Sequence, residues 1–256
     1  MKKILISLAC VAAIGSVLNA DITRVEMGGG MWNQTPSGTM SYSENISLLS
    51  TTGTYTSNKN DDTSMYLWML IKHPIPIVPN LRLEYTGIKD DGKITGKFKN
   101  FNVGGVYTNA TLDITQYDII PYYNILDNTM WTTLDLGLDV KVQETKYDVS
   151  PTTAFTGYTG SDTIAIPLVY ARLRVEIPGT GLGFEGDGKY ITYDGSTVYD
   201  FRAKVDYTFD LDMFVNPGVE LGYRVQKFDI DYKDGNERTL MNMDYSGVYA
   251  GLMLRF

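Results

Sequence analysis

The stretch TLDLGLDVKV, Thr133 to Val142, sets Leu134, Leu136, Leu138, Val140 and Val142 against Asp135, Gly137, Asp139 and Lys141. Strict alternation over this length is the mark of a strand with one dry and one wet face. Something must cover the dry face. No apolar pattern with a 3.6-residue period occurs along the chain, so helices are not the cover. The alternation also outlasts the five or six residues usual for a strand in a packed sandwich. Lipid is the simplest cover: the leucines face hydrocarbon, the aspartates face an interior, and closure of the sheet satisfies every backbone group without water.

The same parity recurs elsewhere. Tyr199, Phe201, Ala203, Val205, Tyr207 and Phe209 oppose Asp200, Arg202, Lys204 and Asp206; Val219, Leu221, Tyr223 and Val225 oppose Glu220, Gly222 and Arg224. Ten such segments are read, at about 22–34, 62–73, 80–88, 112–125, 130–148, 162–178, 181–190, 197–209, 216–232 and 239–256. The connections between them run long and short in turn over the first six. Residues 35–61, 89–111 and 149–161 read as long loops, and Pro74–Asn80, Asp127-Asn128 and Pro178–Thr180 as short turns. This asymmetry predicts an all-β fold: a closed, up-and-down antiparallel transmembrane β-barrel of about ten strands, with eight or twelve as alternatives. Segment 162–178 breaks the pattern, since Ile166 and Leu168 share parity with Arg172, Arg174 and Glu176, and a bulge is expected there.

The first residues form a separate unit. Lys2 and Lys3 precede an apolar run from Ile4 to Leu18, followed by Asn19, Ala20 and Asp21, the layout of a secretory signal peptide cut after Ala20. Cys10 lies inside the apolar run, too early for a lipoprotein signal. Residues 21–256 then form a single barrel domain. Cleavage takes the formal charge from −8 to −10, because Lys2 and Lys3 are lost, and removes the one cysteine. A chain this acidic is a poor partner for nucleic acid.

The last residues, GVYAGLMLRF, place Val248, Ala250, Leu252, Leu254 and Phe256 on one face. They resemble the closing strand of Gram-negative outer-membrane proteins, which the insertion machinery recognises by alternating apolar residues and a final Phe. Tyr123, Trp131, Phe214 and Phe256 lie near the short-turn side, where an aromatic girdle is expected. With HPIPIVPNLRLEYTGI, YNILDN and LDLGL, this closing strand gives the chain a resemblance to a family of small outer-membrane β-barrel proteins of unknown function. The resemblance implies a fold and a location in the outer membrane and no catalytic residues; an even strand count returns both termini to one side, expected to be the periplasmic side of the short turns.

Motifs of other chemistries read as structure. Gly181–Gly186 fits GxGxxG, but a dinucleotide site needs a helix to follow, and DGKYITYDG continues as strand and turn. Asp229–Gly235 hints at a calcium loop, yet Lys233 and Asp234 stand where a ligand and a glycine belong. His73, the only histidine, precedes Pro74 at a short turn and reads as an interfacial residue. Catalytic, metal and cofactor residues are therefore assigned to none, ligand-binding residues stay unassigned, and the chain is not expected to be an enzyme.

The informative polar set is the interior one: Arg82, Glu84, Asp118, Asp135, Asp139, Lys141, Arg172, Arg174, Glu185, Arg202, Lys204, Asp206, Glu220, Arg224 and Arg255. In a narrow lumen opposed charges pair, because an unpaired buried charge is costly. Asp135 and Asp139 are expected to face Arg172 and Arg174 across a hairpin. The leading functional reading is a monomeric structural or interaction protein of the outer membrane with a charge-plugged lumen and external loops. Its alternative is a narrow conduit for small solutes. A soluble secreted barrel would need the opposite polarity, apolar inside and polar outside.

Overall fold

A computed structural model describes residues 24–46, 49–75, 77–98, 100–211 and 214–256. The signal segment read at residues 1–20 lies outside them. Eleven antiparallel strands follow in order: β1 (Arg24–Ile46), β2 (Leu49–Ser57), β3 (Asp62–Lys72), β4 (Asn80–Phe98), β5 (Phe101–Thr129), β6 (Thr132–Val149), β7 (Tyr158–Glu176), β8 (Leu182–Tyr193), β9 (Ser196–Thr208), β10 (Asn216–Asp234) and β11 (Glu237–Arg255). Each pairs with its neighbour in sequence, except that β2 and β3 share one place between β1 and β4. β1 closes the ring against β11, from Glu26↔Arg255 to Glu44↔Glu237. The result is a sheet of eleven strands closing as a ring of ten.

β2 and β3 act as one interrupted stave. Lower β1 pairs with β3 (Arg24↔Lys72 to Gln34↔Asp62), and upper β1 pairs with β2 (Thr39↔Thr56 to Ile46↔Leu49). Pro36 stands opposite the break, where a missing N–H disturbs no ladder on that side. Ser57 Oγ donates to the Pro36 carbonyl at 3.3 Å and Thr35 Oγ1 to Asp61 at 2.5 Å, so side chains bridge the interruption.

The stretches at 35–61 and 89–111, expected as loops, are largely strand. β1 and β2 fill most of the first, and β4 and β5 run through most of the second. These strands exceed the roughly nine to eleven residues that cross a bilayer, so the barrel continues past its apolar belt. What changes at the edge of the belt is polarity, not geometry. On β10 the outward Val219, Leu221 and Tyr223 flank inward Glu220 and Arg224; farther on, outward Lys227, Asp229 and Asp231 flank inward Phe228 and Ile230. On β5 outward Tyr117 and Ile119 flank Asp118, whereas outward Asp113 and Thr111 flank Leu112 and Ile114. β4 switches likewise, from Leu83 outside and Glu84 inside to Lys89 outside and Ile88 inside.

The barrel is therefore two storeys on one set of strands. Near the termini it is apolar outside and ionic inside, over about ten residues per strand, the length of a bilayer crossing. At the distal end it is polar outside with an apolar core of Tyr55, Ile94, Leu112, Val198, Phe228, Met243 and Tyr245. This switch corrects the bulge expected in 162–178. β6 and β7 pair without a register shift from Thr132↔Val175 to Val149↔Tyr158. Leu168 and Arg172 both point inward, one into the apolar storey and one into the ionic storey.

At the terminal end the β5–β6 connection is the two-residue turn Met130-Trp131, both with positive φ (51° and 63°), rather than Asp127-Asn128. Tyr123, Trp131 and Phe214 are exposed at this end, and the Phe214 and Phe256 rings meet edge-on at 6.2 Å, as a girdle requires. His73 staples the β3–β4 turn: its Nε2 lies 3.0 Å from the Pro79 carbonyl, and its Nδ1 accepts from the Ile75 N–H at 3.2 Å.

Candidate functional site: an ion-pair lattice in the lumen

The alternation that sends leucines outward sends a charged residue inward from nearly every strand of the belt. All fifteen expected interior residues point inward, Arg202 and Arg255 being only partly buried. Asp200, on the same polar parity as Arg202 and Lys204, is itself buried, and the structure adds Glu26, Asp187 and Lys189, all buried.

The tier nearest the termini centres on Arg174. Its guanidinium donates to Asp206 twice (2.6 and 2.9 Å), to Glu185 at 3.2 Å and to Glu176 at 2.9 Å. Arg255 on the last strand donates to the same Asp206 at 3.0 Å, and Arg24 on the first strand pairs with Glu26 and Glu176. Across the seam between the last and first strands, Arg255 Nε lies 3.7 Å from Glu26. Arg172 bridges Asp135 and Glu185, each at 2.7 Å.

In the middle tier Glu84 accepts from Arg82 Nε (2.6 Å), Lys189 Nζ (2.6 Å) and Arg202 (2.5 Å). Glu220 accepts from Lys204 at 2.8 Å, from the Tyr66 hydroxyl at 2.7 Å and from Trp68 Nε1 at 2.9 Å. Arg82 and Lys204 both lie over the Trp68 ring, at 5.4 and 4.6 Å. The ring fits because Gly28 faces it: a Cβ there would stand 2.7 Å from Trp68. The third tier centres on Asp200, which accepts from Arg224 (2.9 and 2.7 Å), Lys141 (3.3 Å) and Gln226 (2.8 Å). Gln226, Gln116 and Gln143 continue it as an amide chain, each link 3.0 Å. Above the glutamines the apolar storey begins.

One expected pairing is present and the other is not. Asp135 meets Arg172, but Asp139 sits opposite Leu168 and Arg174 opposite Thr133. In an antiparallel pair, moving forward along one strand moves backward along the other, so one direct match at 135–172 carries Asp139 and Arg174 apart. Asp139 instead has Lys189 at 3.9 Å. A double-mutant cycle on Asp135 and Arg172 is expected to return a coupling of about 1–3 kcal/mol, against under ~0.5 kcal/mol for Asp139 with Arg174.

The space left in the middle tier, between Trp32, Trp68, Glu185, Arg202 and Glu220, holds about one water molecule. Farther out, burial pushes the Asp90 carboxyl above its ordinary range, countered by the 2.7 Å hydrogen bond from Ser57. The GxGxxG stretch enters β8 as strand; a Cβ at Gly183 would collide with the Arg174 guanidinium. Asp229–Asp234 is strand β10, and Asp231 is held by two hydrogen bonds from Arg238 at 2.8 and 2.7 Å.

No family model and no curated protein sequence matches the chain. Among solved structures it is similar to the outer-membrane protease OmpT from Escherichia coli, with TM-score 0.50 and 11% identity over 94% of this chain and 100% of that one. It also aligns with the translocator domain of the autotransporter NalP from Neisseria meningitidis (TM-score 0.43, 11% identity, 100% of this chain and 96% of that one). A third alignment is with a Pseudomonas aeruginosa FadL homologue (0.30, 12%, 91% and 68%). At such identities the likeness concerns architecture alone. With its apolar belt, ionic lumen and ring of ten strands, the chain has the fold of an outer-membrane β-barrel.

Proposed function

We propose that the chain is an integral outer-membrane protein with both termini in the periplasm, whose barrel conducts nothing and serves as a rigid scaffold holding its distal storey outside the cell for an interaction role. One observation carries this reading: the two fillings stand in series along the axis. A solute passing the ion-pair lattice would meet a packed apolar core, where Phe228 and Met243 are fully buried. Ions cross such a core only at the cost of desolvation. The closing strand suits recognition by the insertion machinery, and a closed ring leaves no edge in the bilayer to demand a second subunit. No catalytic role is proposed, since the one histidine is engaged in the turn it staples.

Single-channel recording in planar bilayers tests the reading. Folded protein is expected to leave the bilayer silent. Steady, reproducible unitary conductance would overturn the scaffold and restore the narrow conduit.

A further inference from the structure

The distal storey lacks part of its wall. β7 pairs with β8 only from Val169↔Tyr190 to Glu176↔Gly183, although β8 runs three residues beyond Tyr190. The ladder stops where Pro167 would have to supply a donor to that side, and proline fits a strand with its missing N–H on an open edge. β8 and β9 turn back at Asp194-Gly195, so Tyr158–Leu168 is paired to β6 on one side and to no strand on the other. Across the notch β10 also outruns β9, but there the Asp231 N–H is capped by Ser196 Oγ at 3.0 Å. Among the described residues no such cap stands on β7. A long uncapped edge is a template for another strand.

We propose that the free edge of β7, Thr159 to Ile166, is a docking site for an extended, cationic peptide segment of a partner protein, added as a strand. The proposal rests on the scaffold reading above and names the partner class for it. Charge and polarity select the occupant. The segments around the notch carry Asp162, which meets the Tyr147 hydroxyl, and Asp194 and Asp234, with Asp231 and Glu144 already paired to Arg238 and Lys146, against Lys233 as the remaining cation. Ile164 is 40% exposed although its parity points inward, so alternate side chains of an added strand would meet an apolar surface. Asp162 shares the inward parity of Ile164, so a Lys or Arg beside the apolar side chains of the added strand would pair with it, and the hairpin acids Asp194 and Asp234 add to the attraction. Thr159, Ser161, Thr163 and Ala165 share the parity of Pro167, so their backbone groups face the free side and would carry the hydrogen bonds.

The probe is a fluorescein-labelled peptide of alternating Lys and Val, about eight residues, the length of an ordinary strand. Its binding to the folded full chain in micelles is read by anisotropy. The expected result is saturable binding, weakened about tenfold or more when the peptide is N-methylated along one edge, since several backbone hydrogen bonds are lost. An Asp-Val peptide is expected to bind at least about tenfold more weakly through charge repulsion. Ala165→Pro, which removes a donor only on the free side, is expected to weaken binding similarly. Absence of saturable Lys-Val binding overturns the proposal, as does binding indifferent to N-methylation on the unaltered chain. A dimer in micelles that Ala165→Pro dissolves would make a second copy the occupant and also overturn it. None of these results bears on bilayer silence, so the docking edge and the scaffold fail separately.

Discussion

Glu84→Gln is expected to destabilise the barrel by about 3–5 kcal/mol, the usual consequence of removing one partner from a buried charge set. Glu84 is the one acceptor shared by Arg82, Lys189 and Arg202, on β4, β8 and β9. The amide keeps the shape and loses the charge, leaving three fully or nearly buried cations with less to neutralise them. Asp187 still holds Arg202 at 2.7 Å and Asp118 still lies 3.2 Å from Lys189, so the barrel is weakened rather than abolished. The control is Glu44→Gln on upper β1. Its pair with Lys97 (3.0 Å) is partly exposed and is expected to contribute under ~1 kcal/mol. Urea titration of the folded fraction, read as the faster band of unheated samples on a gel, compares the two. Equal, small effects would mean that the lattice is hydrated and compliant rather than structural.

Leu221→Arg is expected to cost about 2–4 kcal/mol, the penalty for arginine on the lipid face near the bilayer midplane. Asp229→Arg lies on the same face of the same strand, eight residues farther along, and is expected to stay within ~0.5 kcal/mol, as ordinary surface substitutions do. The contrast follows from the change of exterior between Val225 and Lys227. Leu221 is outward and exposed among Val219 and Tyr223, while Asp229 is outward among Lys227 and Asp231. The measurement is the folded fraction recovered on refolding into lipid vesicles. Comparable losses for both substitutions would place lipid against the distal storey as well.

The belt was legible because its rule is simple. Leu134–Val142 and Val219–Val225 each keep apolar residues on one parity, and the structure turns that parity outward throughout. The distal storey was illegible for a related reason. There the parity persists but polarity is exchanged, and Ser, Thr, Asn and Gly on both parities of 35–61 mimic loop composition. The same exchange makes Leu168 and Arg172 look inconsistent, although both point inward.

Within the lattice, parity told which charges face inward but not which charges meet. Partners across the lumen, such as Lys189 with Glu84 or Arg224 with Thr86, depend on barrel tilt and strand stagger, which no local pattern records. Asp187 and Lys189 share the parity of Glu185 and were legible in principle, but Gly186 and Gly188 between them carry no apolar side chain to mark the outward face. Pro167 was the one sequence sign of the open edge, and it becomes meaningful only once the reach of β8 is known.

The most direct measurement labels single cysteines on the outer face of β10 in intact proteoliposomes with a charged, membrane-impermeant maleimide, after Cys10→Ser wherever that residue is retained. Cysteines at Leu221 and Tyr223 are expected to stay unlabelled, and those at Asp229 and Lys233 to label fully. Labelling at Leu221 equal to that at Asp229, or protection at all four positions, would contradict a barrel that leaves the bilayer between Val225 and Lys227.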